Sequence, residues 1–227
     1  MAKIWWPRPP EFGASPIHLS VPIWNYDDRY LGQPIVPHVL TGPYHLVRKP
    51  QFLEDYEIKV ILCIRDPSEQ RFLRQIELPG IEFVFLDVPA DVRKTNIIPF
   101  FNSATTTITE LVQRELNVLV CCSDGIDKSA SFVAAYLMNT YGLKAMDAIT
   151  FVQNQRYCAT PSVNGYRIKL IEYEPICAAR CVDKCQLNGQ KAARRRDDDD
   201  DGCSETASEM TCVTDRPIAS LPNKRAR

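Results

Sequence analysis

The stretch NVLVCCSDGIDKSASFVAAYL, residues 117–137, decides the fold. Its start is short and continuously apolar after Asn117, which is typical of a central strand in a parallel sheet. A helix is predicted from Ser129 to Tyr141, with Gly142 ending it. The loop CSDGIDK joins strand and helix, so several backbone N–H groups and the positive end of the helix dipole point at one place. The sequence therefore predicts a cradle for an oxyanion.

Cys122 stands at the base of this loop. Because the cradle favours negative charge, we expect the pKa of this thiol to lie well below the ordinary cysteine value of about 8.5. A thiolate here is a nucleophile for the phosphorus atom of a bound phosphate group. Gly125 permits the left-handed backbone that so tight a loop requires. The alternative is that Cys122 is only a small apolar residue at the end of a strand.

The rest of the chain alternates between apolar runs and helical periodicity. Strands are predicted at 57–64, 81–88 and 117–121, and residues 35–44 suggest a short strand and a Gly-Pro turn. Helices are predicted at 96–114, capped by Asn96, and at 129–141, 144–156 and 164–182. Pro175 is expected to bend or break the last helix. This order predicts an α/β fold with a central, mainly parallel sheet flanked by helices on both faces.

Three parts of the chain differ in composition. Residues 1–32 lack a sustained period and are interpreted as an irregular arm, whose packing anchors are Trp5, Trp6 and Trp24. Residues 33–182 form the predicted domain. Residues 183–227 include KAARRRDDDDDG and a stretch rich in Ser, Thr and Glu. Such a segment buries too little apolar surface to offset the entropy of ordering, so a disordered charged tail is predicted.

Composition limits the function classes. The 227 residues have a formal net charge of −1, so we expect no nucleic-acid partner drawn by a basic field. No apolar run reaches the length of about 18 residues that a membrane span needs, and the first residues do not resemble a secretory signal. A cytoplasmic or nuclear location is therefore expected. The nine cysteines are expected to be reduced, because their number is odd and their spacing irregular.

We expect no metal and no cofactor. The cysteines at 177, 181 and 185 have helical spacing, but three thiols without a nearby histidine are a weak zinc signal.

The spacing from Cys122 to Lys128 and Ser129 resembles the Cys-x5-Arg-Ser/Thr signature of protein-tyrosine and dual-specificity phosphatases. The resemblance extends over about residues 33–180, through PHVLTGPY, VILCIRD, FLDVPAD, NIIPFF and the run from AAYLMNTYGL to FVQNQRYC. Within that superfamily the chain is similar to the STYX-like (serine/threonine/tyrosine-interacting) pseudophosphatases. The resemblance implies the phosphatase-type α/β fold.

The resemblance also implies roles for individual residues. Cys122 matches the nucleophile, Asp91 the general acid that protonates the leaving oxygen, and Ser129 the hydroxyl that assists departure of the thiolate. The phosphate-binding loop that it implies is Cys122, Ser123, Asp124, Gly125, Ile126, Asp127 and Lys128. Asp91 has an alternative interpretation as an ordinary loop acid, with Asp87 at the end of a strand.

Two positions depart from the family pattern. Cys121 replaces the histidine that precedes the nucleophile, and Lys128 replaces the phosphate-binding arginine. An arginine gives two parallel bonds to phosphate oxygens, whereas a lysine is a mobile point charge. The lost bond costs about 1.5–3 kcal/mol in binding, and on the order of 10² to 10³ in rate if the bond strengthens in the transition state. Only another arginine reaching the loop, for instance Arg156, would restore the contact.

Lys128 has an alternative interpretation as a helix N-terminal lysine that points into solvent. The acids Asp124 and Asp127 weaken phosphate capture by simple electrostatics. However, CSDGIDKS also resembles the CSDGWDRT loop of myotubularin-type lipid phosphatases, in which acids at these places are compatible with activity. A phosphoinositide ligand therefore stays open.

The leading functional hypothesis is a catalytically inactive or severely impaired protein that binds phosphorylated or acidic signalling partners through the cradle. The resemblance implies phosphoproteins or kinases of signalling pathways, such as MAP kinases, and ubiquitin-ligase components as partners. The alternative is a slow tyrosine or dual-specificity phosphatase that uses Cys122. A third hypothesis makes the cradle vestigial and the charged tail or aromatic arm the binding part.

Overall fold

A five-stranded sheet lies at the centre of the computed structural model, which describes residues 4–20 and 23–180. The strands are β1 (Gln33–Val36), β2 (Val39–Pro43), β3 (Ile58–Arg65), β4 (Glu82–Asp87) and β5 (Asn117–Cys122), in the order β1-β2-β5-β3-β4. Only β1 runs antiparallel to its neighbour. The prediction of a mainly parallel sheet is confirmed.

Strand β5 is buried along its whole length between β2 and β3. Val118 and Val120 face one core and Leu119 and Cys121 face the other, so a continuous apolar run is what the position requires. In the parallel registers Cys121 lies beside Gly42 of β2 and Cys63 of β3. The loop that follows β5 therefore emerges between the carboxyl ends of its two neighbours.

Helices cover both faces of the sheet. They are α1 (Pro50–Asp55), α2 (Ile98–Gln113), α3 (Lys128–Tyr141), α4 (Ala145–Gln155) and α5, which occupies residues 166–180 up to the last described residue. Helices α2 to α5 enclose one core, in which the rings of Phe101 and Phe132 have their centroids 4.9 Å apart. The opposite core is smaller and lies under α1 and a 3₁₀ helix, Tyr44–Arg48.

The termini of α2 and α3 follow from local chemistry. The N–H of Ile98 donates to Asn96 Oδ1 at 3.1 Å, so the predicted cap residue satisfies a free donor in the first turn of α2. Gly142 adopts a left-handed φ of 65° directly after α3, where its N–H donates to the Met138 carbonyl. The predicted helix end at Gly142 is confirmed, whereas the residue directly before α2 is Ile97, one position after the predicted cap.

One local prediction was wrong, and one of two alternatives at Pro175 is ruled out. Residues 35–44 form a hairpin that turns at Pro37 and His38, and the Gly42-Pro43 pair ends β2 instead of making the turn. Helix α5 is not broken at Pro175. Tyr173 and Cys177 on either side of this proline are buried in the larger core, and that packing outweighs the loss of one backbone hydrogen bond.

The N-terminal segment runs along α3 and α4. Its backbone donates from Gly13 to the Tyr141 carbonyl at 2.8 Å and from Ile17 to Asp147 Oδ1 at 2.8 Å. Two of its tryptophans pack as predicted, Trp6 against His38 and Trp24 against Tyr157, with ring centroids 5.8 Å apart in each pair. The third, Trp5, is 75% exposed, so the prediction that it is an anchor was wrong.

The predicted division into 1–32, 33–182 and 183–227 remains a prediction, and the charged tail lies outside the described residues. Within the described part of the chain, no helix combines the length and apolar character needed to cross a membrane.

Candidate active site

The loop between β5 and α3 is held at its crest by backbone contacts. Gly125 has a φ of 70°, as predicted, and a Cβ atom at this position would lie 2.4 Å from the carbonyl carbon of Gly42. The Thr160 N–H donates to the Ile126 carbonyl at 2.9 Å. Both the left-handed backbone and the close approach to β2 require glycine, so the loop has little freedom to change shape.

Arg156 supports the same loop from behind. Its guanidinium is 1% exposed and donates to the carbonyls of Gly125 at 2.8 Å, Leu31 at 2.7 Å and Arg29 at 2.8 Å, and to Gln33 Oε1. In a trans peptide the carbonyl points away from the N–H, so a side chain bound to a cradle carbonyl lies on the outer side of the loop. Arg156 therefore positions the loop and does not supply the missing phosphate fork.

Cys122 is completely buried at the base of the loop. Its Sγ atom accepts a hydrogen bond from the Gly125 N–H at 3.2 Å. The same atom lies 3.4 Å from Ser129 Oγ and 3.5 Å from Asp124 Oδ1, either of which can accept the thiol proton. The structure thus brings Cys122 and Ser129 together as the resemblance implied, but it also places a carboxylate beside the sulfur.

The expectation of a lowered pKa for Cys122 was wrong. Burial, followed by the negative charge of Asp124, raises the pKa of this thiol to about 11, although hydrogen bonds from Ser129 and Gly125 act in the opposite direction. At pH 7 about one molecule in 10⁴ then has a thiolate at this position. The sequence argument counted the helix dipole and the loop N–H groups but not the loss of water around sulfur.

Lys128, at the first position of α3, is held by two carboxylates. Its Nζ lies 2.7 Å from Asp66 Oδ2 and 2.6 Å from Glu69 Oε2, and its side chain is 17% exposed. Burial alone would lower the pKa of Lys128, but the hydrogen bonds to both acids outweigh it and raise the pKa. The interpretation of Lys128 as a solvent-pointing lysine was wrong. Its ammonium group is charged and already pairs with two carboxylates.

The sequence reasoning missed Asp66 and Glu69. Both follow the end of β3 in the run RDPSEQ, 59 or more positions before Lys128. The available signal was that acids at the carboxyl end of one parallel strand lie near the loop that follows the neighbouring strand. Using that signal requires the knowledge that β3 and β5 are adjacent.

The two acids of the loop itself are engaged by backbone donors. Asp124 Oδ1 accepts from the Ile126 N–H at 2.9 Å, and Asp127 Oδ1 accepts from the Ser162 N–H at 2.9 Å. Burial raises the pKa of Asp127. Asp66 and Glu69 bind the Lys128 ammonium, so the loop and its lysine carry four carboxyl groups in all. Such an arrangement opposes the entry of a dianion.

Asp91 lies across a cleft from Lys128. The cleft has a volume of about 680 Å³ and is lined by residues 90–93, Asp127, Lys128 and 162–166. Asp91 is exposed, accepts from the N–H of Arg93 at 3.2 Å and forms an ion pair with Lys94 at 3.6 Å. Although desolvation acts to raise its pKa, the backbone hydrogen bond from Lys94 and the charge of that residue lower it. A general acid needs a proton to donate, so this ionised carboxylate suits the alternative interpretation as a loop acid.

The protein has a second groove, and that groove does not include this loop. A groove of about 920 Å³ is lined by residues 50–59 and 78–81, near the start of β3 and away from the cradle. Among the residues that the structure describes, no set of three or more His, Cys, Asp or Glu side chains is arranged to hold a metal ion.

Comparison with known proteins places this site in a family. Residues 40–176 match the dual specificity phosphatase catalytic domain. The human serine/threonine/tyrosine-interacting protein is 36% identical over 159 residues, which cover 69% of this chain and 70% of that protein. Human dual specificity protein phosphatase 7 is 29% identical over 72% of this chain and 36% of its own length.

The fold comparison agrees with the sequence comparison. The crystal structure of human tyrosine phosphatase-like serine/threonine/tyrosine-interacting protein superposes with a TM-score of 0.59 at 36% identity. The match covers 64% of this chain and 96% of that one. The family match spans the cradle and the segment that contains Asp91, and the resemblance to STYX-like proteins is confirmed. The chain therefore belongs to the dual specificity phosphatase family, in which the serine/threonine/tyrosine-interacting proteins are among its relatives.

Proposed function

We propose that this chain is a catalytically inactive or severely impaired dual-specificity-phosphatase-like protein that binds phosphorylated signalling partners through the cleft beside its cradle. The state of Cys122 is the observation that supports the loss of catalytic activity. A sulfur that is fully buried, hydrogen-bonded and held at a pKa of about 11 is a poor nucleophile at neutral pH.

Lys128 supports the same conclusion. An ammonium has three N–H donors, and two of those of Lys128 are bonded to Asp66 and Glu69, so at most one is left for a phosphoryl group. The two parallel bonds that an arginine fork provides in a phosphoryl-transfer transition state are missing. We expect turnover to suffer more than binding, because transition-state charge is what the fork stabilises.

The remaining features of the cleft support the binding of a phosphorylated partner. The cleft includes the N-terminus of α3, which favours an anion, and Arg93 is among the residues that line it. The excess of carboxyl groups makes this binding weak. A relative is named a serine/threonine/tyrosine-interacting protein. We propose phosphoproteins or kinases of signalling pathways, and ubiquitin-ligase components, as the partners of this chain.

A slow phosphatase is the second candidate, favoured by the position of Ser129 Oγ 3.4 Å from Cys122 Sγ. Both candidates face one experiment on the purified full-length protein. Hydrolysis of a phosphotyrosine peptide is measured for the wild type and for Cys122→Ser, and binding of that peptide and of its unphosphorylated form is measured by calorimetry.

The proposal expects wild-type turnover far below the usual enzyme range of about 1 to 10³ per second, together with weak binding that requires the phosphate. Turnover within that range, abolished by Cys122→Ser, would establish an enzyme instead. Equal affinity for both peptides would remove the role of the cradle and leave the arm and tail as binding segments. An inositol bisphosphate that binds in place of the phosphopeptide would indicate a lipid headgroup as the ligand.

A further inference from the structure

Tyr166 presents a buried hydroxyl group that nothing in the fold uses. The residue begins α5, is 2% exposed and lines the cleft that also contains Lys128 and Asp91. Its hydroxyl oxygen forms no hydrogen bond with any of the described residues. A buried hydroxyl without a partner is unfavourable, since the same position could hold phenylalanine. The hydroxyl therefore requires an explanation.

The ring of Tyr166 is fixed, so its hydroxyl has a defined place. It packs edge to face against Phe132 of α3, with the ring centroids 6.1 Å apart, and its backbone N–H donates to Ser162 Oγ at 3.2 Å. Burial raises its pKa, and the negative charge of Asp127 raises it further. At physiological pH the group is a neutral O–H that can donate a hydrogen bond.

We propose that the Tyr166 hydroxyl is a ligand-binding group of the cleft, which donates a hydrogen bond to a phosphoryl oxygen of a phosphorylated residue in a partner protein. This inference rests on the proposed function. Lys128 is already bonded to Asp66 and Glu69, whereas the hydroxyl of Tyr166, a residue that lines the same cleft, has no partner among the described residues. A bond from a neutral donor to a charged oxygen is among the stronger hydrogen bonds in proteins. Tyr166 would thus replace part of what the absent arginine supplies.

The test compares wild type, Tyr166→Phe and the control Tyr173→Phe in the full-length protein. Tyr173 lies on the same helix and is equally buried, but its hydroxyl contacts Asn102 Oδ1 at 2.8 Å and Arg180 at 3.1 Å. Thermal unfolding is recorded without ligand. Calorimetry then gives the affinity for a phosphotyrosine peptide and for its unphosphorylated form.

For Tyr166→Phe we expect a Tm that is unchanged or higher by about 2–4 °C, because the orphan hydroxyl is gone. We also expect a Kd for the phosphopeptide that is weaker by about ten-fold or more. Tyr173→Phe should lower the Tm, since the Tyr173 hydroxyl is hydrogen-bonded in the free protein. Its Kd for the phosphopeptide should stay within about two-fold of wild type.

Equal phosphopeptide affinity for wild type and Tyr166→Phe would overturn the inference while leaving the proposed function in place. A lower Tm for Tyr166→Phe would also overturn it, because the hydroxyl would then be used in the free protein. If the wild type does not bind the phosphopeptide, the inference and the proposed function are both overturned. The same holds if the wild type binds inositol bisphosphate but not the phosphopeptide.

Discussion

Replacing Asp124 with asparagine removes the negative charge nearest to Cys122 and should lower the pKa of the thiol. Oδ1 of Asp124 lies 3.5 Å from Sγ, and the asparagine keeps an oxygen that can accept the Ile126 N–H. At 3.5 Å a unit charge contributes about 1.2 kcal/mol in water and about 4.7 kcal/mol at an effective dielectric constant of about 20. Since 1.36 kcal/mol corresponds to one pKa unit, the pKa of Cys122 should fall by about 0.9 to 3.5 from its value of about 11.

The assay is alkylation by iodoacetamide at several pH values, with Cys122 followed by peptide mass spectrometry. Only the thiolate reacts, so the rate at pH 8 should rise by about ten-fold to 10³-fold in Asp124→Asn. Asp127→Asn is the matched control, because the Asp127 carboxylate binds the Ser162 N–H and does not contact the sulfur. If the Cys122 rates of Asp124→Asn and wild type agree within two-fold, or if Asp127→Asn shows the same increase, the electrostatic account of Cys122 fails.

Three further predictions concern the loop and its supports. Lys128→Arg alone should leave phosphatase turnover within about ten-fold of wild type, because Asp66 and Glu69 hold the new guanidinium as well and Cys122 stays protonated; a steady-state assay that finds a rise of several orders of magnitude would contradict this. Gly125→Ala should lower the free energy of unfolding by about 2–5 kcal/mol in a denaturant titration, since the new Cβ meets the Gly42 backbone at a left-handed φ. Asp66→Asn should lower the Tm at pH 6 by about 2–4 °C through loss of the ion pair with Lys128.

The Asp66 prediction has a defined pH dependence. Burial acts to raise the pKa of Asp66, but the hydrogen bonds from Lys128 and Ser68 lower it below its usual value. A carboxylate with a depressed folded pKa stabilises the protein above its unfolded pKa of about 3.9, and this stabilisation is lost as the pH falls through the folded value. The Tm difference between wild type and Asp66→Asn should therefore have its full size at pH 5–7 and disappear below about pH 4. A difference that stays constant down to pH 3 would refute the assignment.

Gly125→Ala has its own control in Gly80→Ala. Gly80 also has a positive φ, 75°, but a Cβ atom there would meet nothing within 4 Å. This variant should lose only about 1–2 kcal/mol, the cost of a left-handed backbone at a residue with a side chain. Equal losses for the two variants would show that the contact with β2 contributes nothing.

The fold was predictable because its determinants are local. The apolar run of β5, the hydrogen bond of Asn96 at the start of α2 and the glycine at 142 each act within a few residues. The hairpin at Pro37 was missed for the opposite reason. A Gly-Pro pair is a frequent turn signal, but the pairing of Pro43 with Cys122 of β5 keeps that pair inside β2.

The chemistry of the site was harder to predict than its location. The loop and its glycine follow from spacing, and the proximity of Ser129 to Cys122 was implied by the family resemblance. The partners of Lys128 come from a strand about 60 positions earlier in the sequence, so they depend on strand order. The pKa of Cys122 depends on burial and on the side-chain direction of Asp124, which a motif does not specify.

The four hydrogen bonds of Arg156 bear on how this protein should be cut for experiments. A recombinant fragment restricted to residues 40–176, the part that resembles other phosphatase domains, keeps the guanidinium and its acceptor on Gly125 but deletes the acceptors on Arg29, Leu31 and Gln33. Without those three contacts the guanidinium is no longer held in place, and the loop loses the support that Arg156 gives at Gly125. A negative activity result from such a trimmed fragment would say nothing about the intact chain.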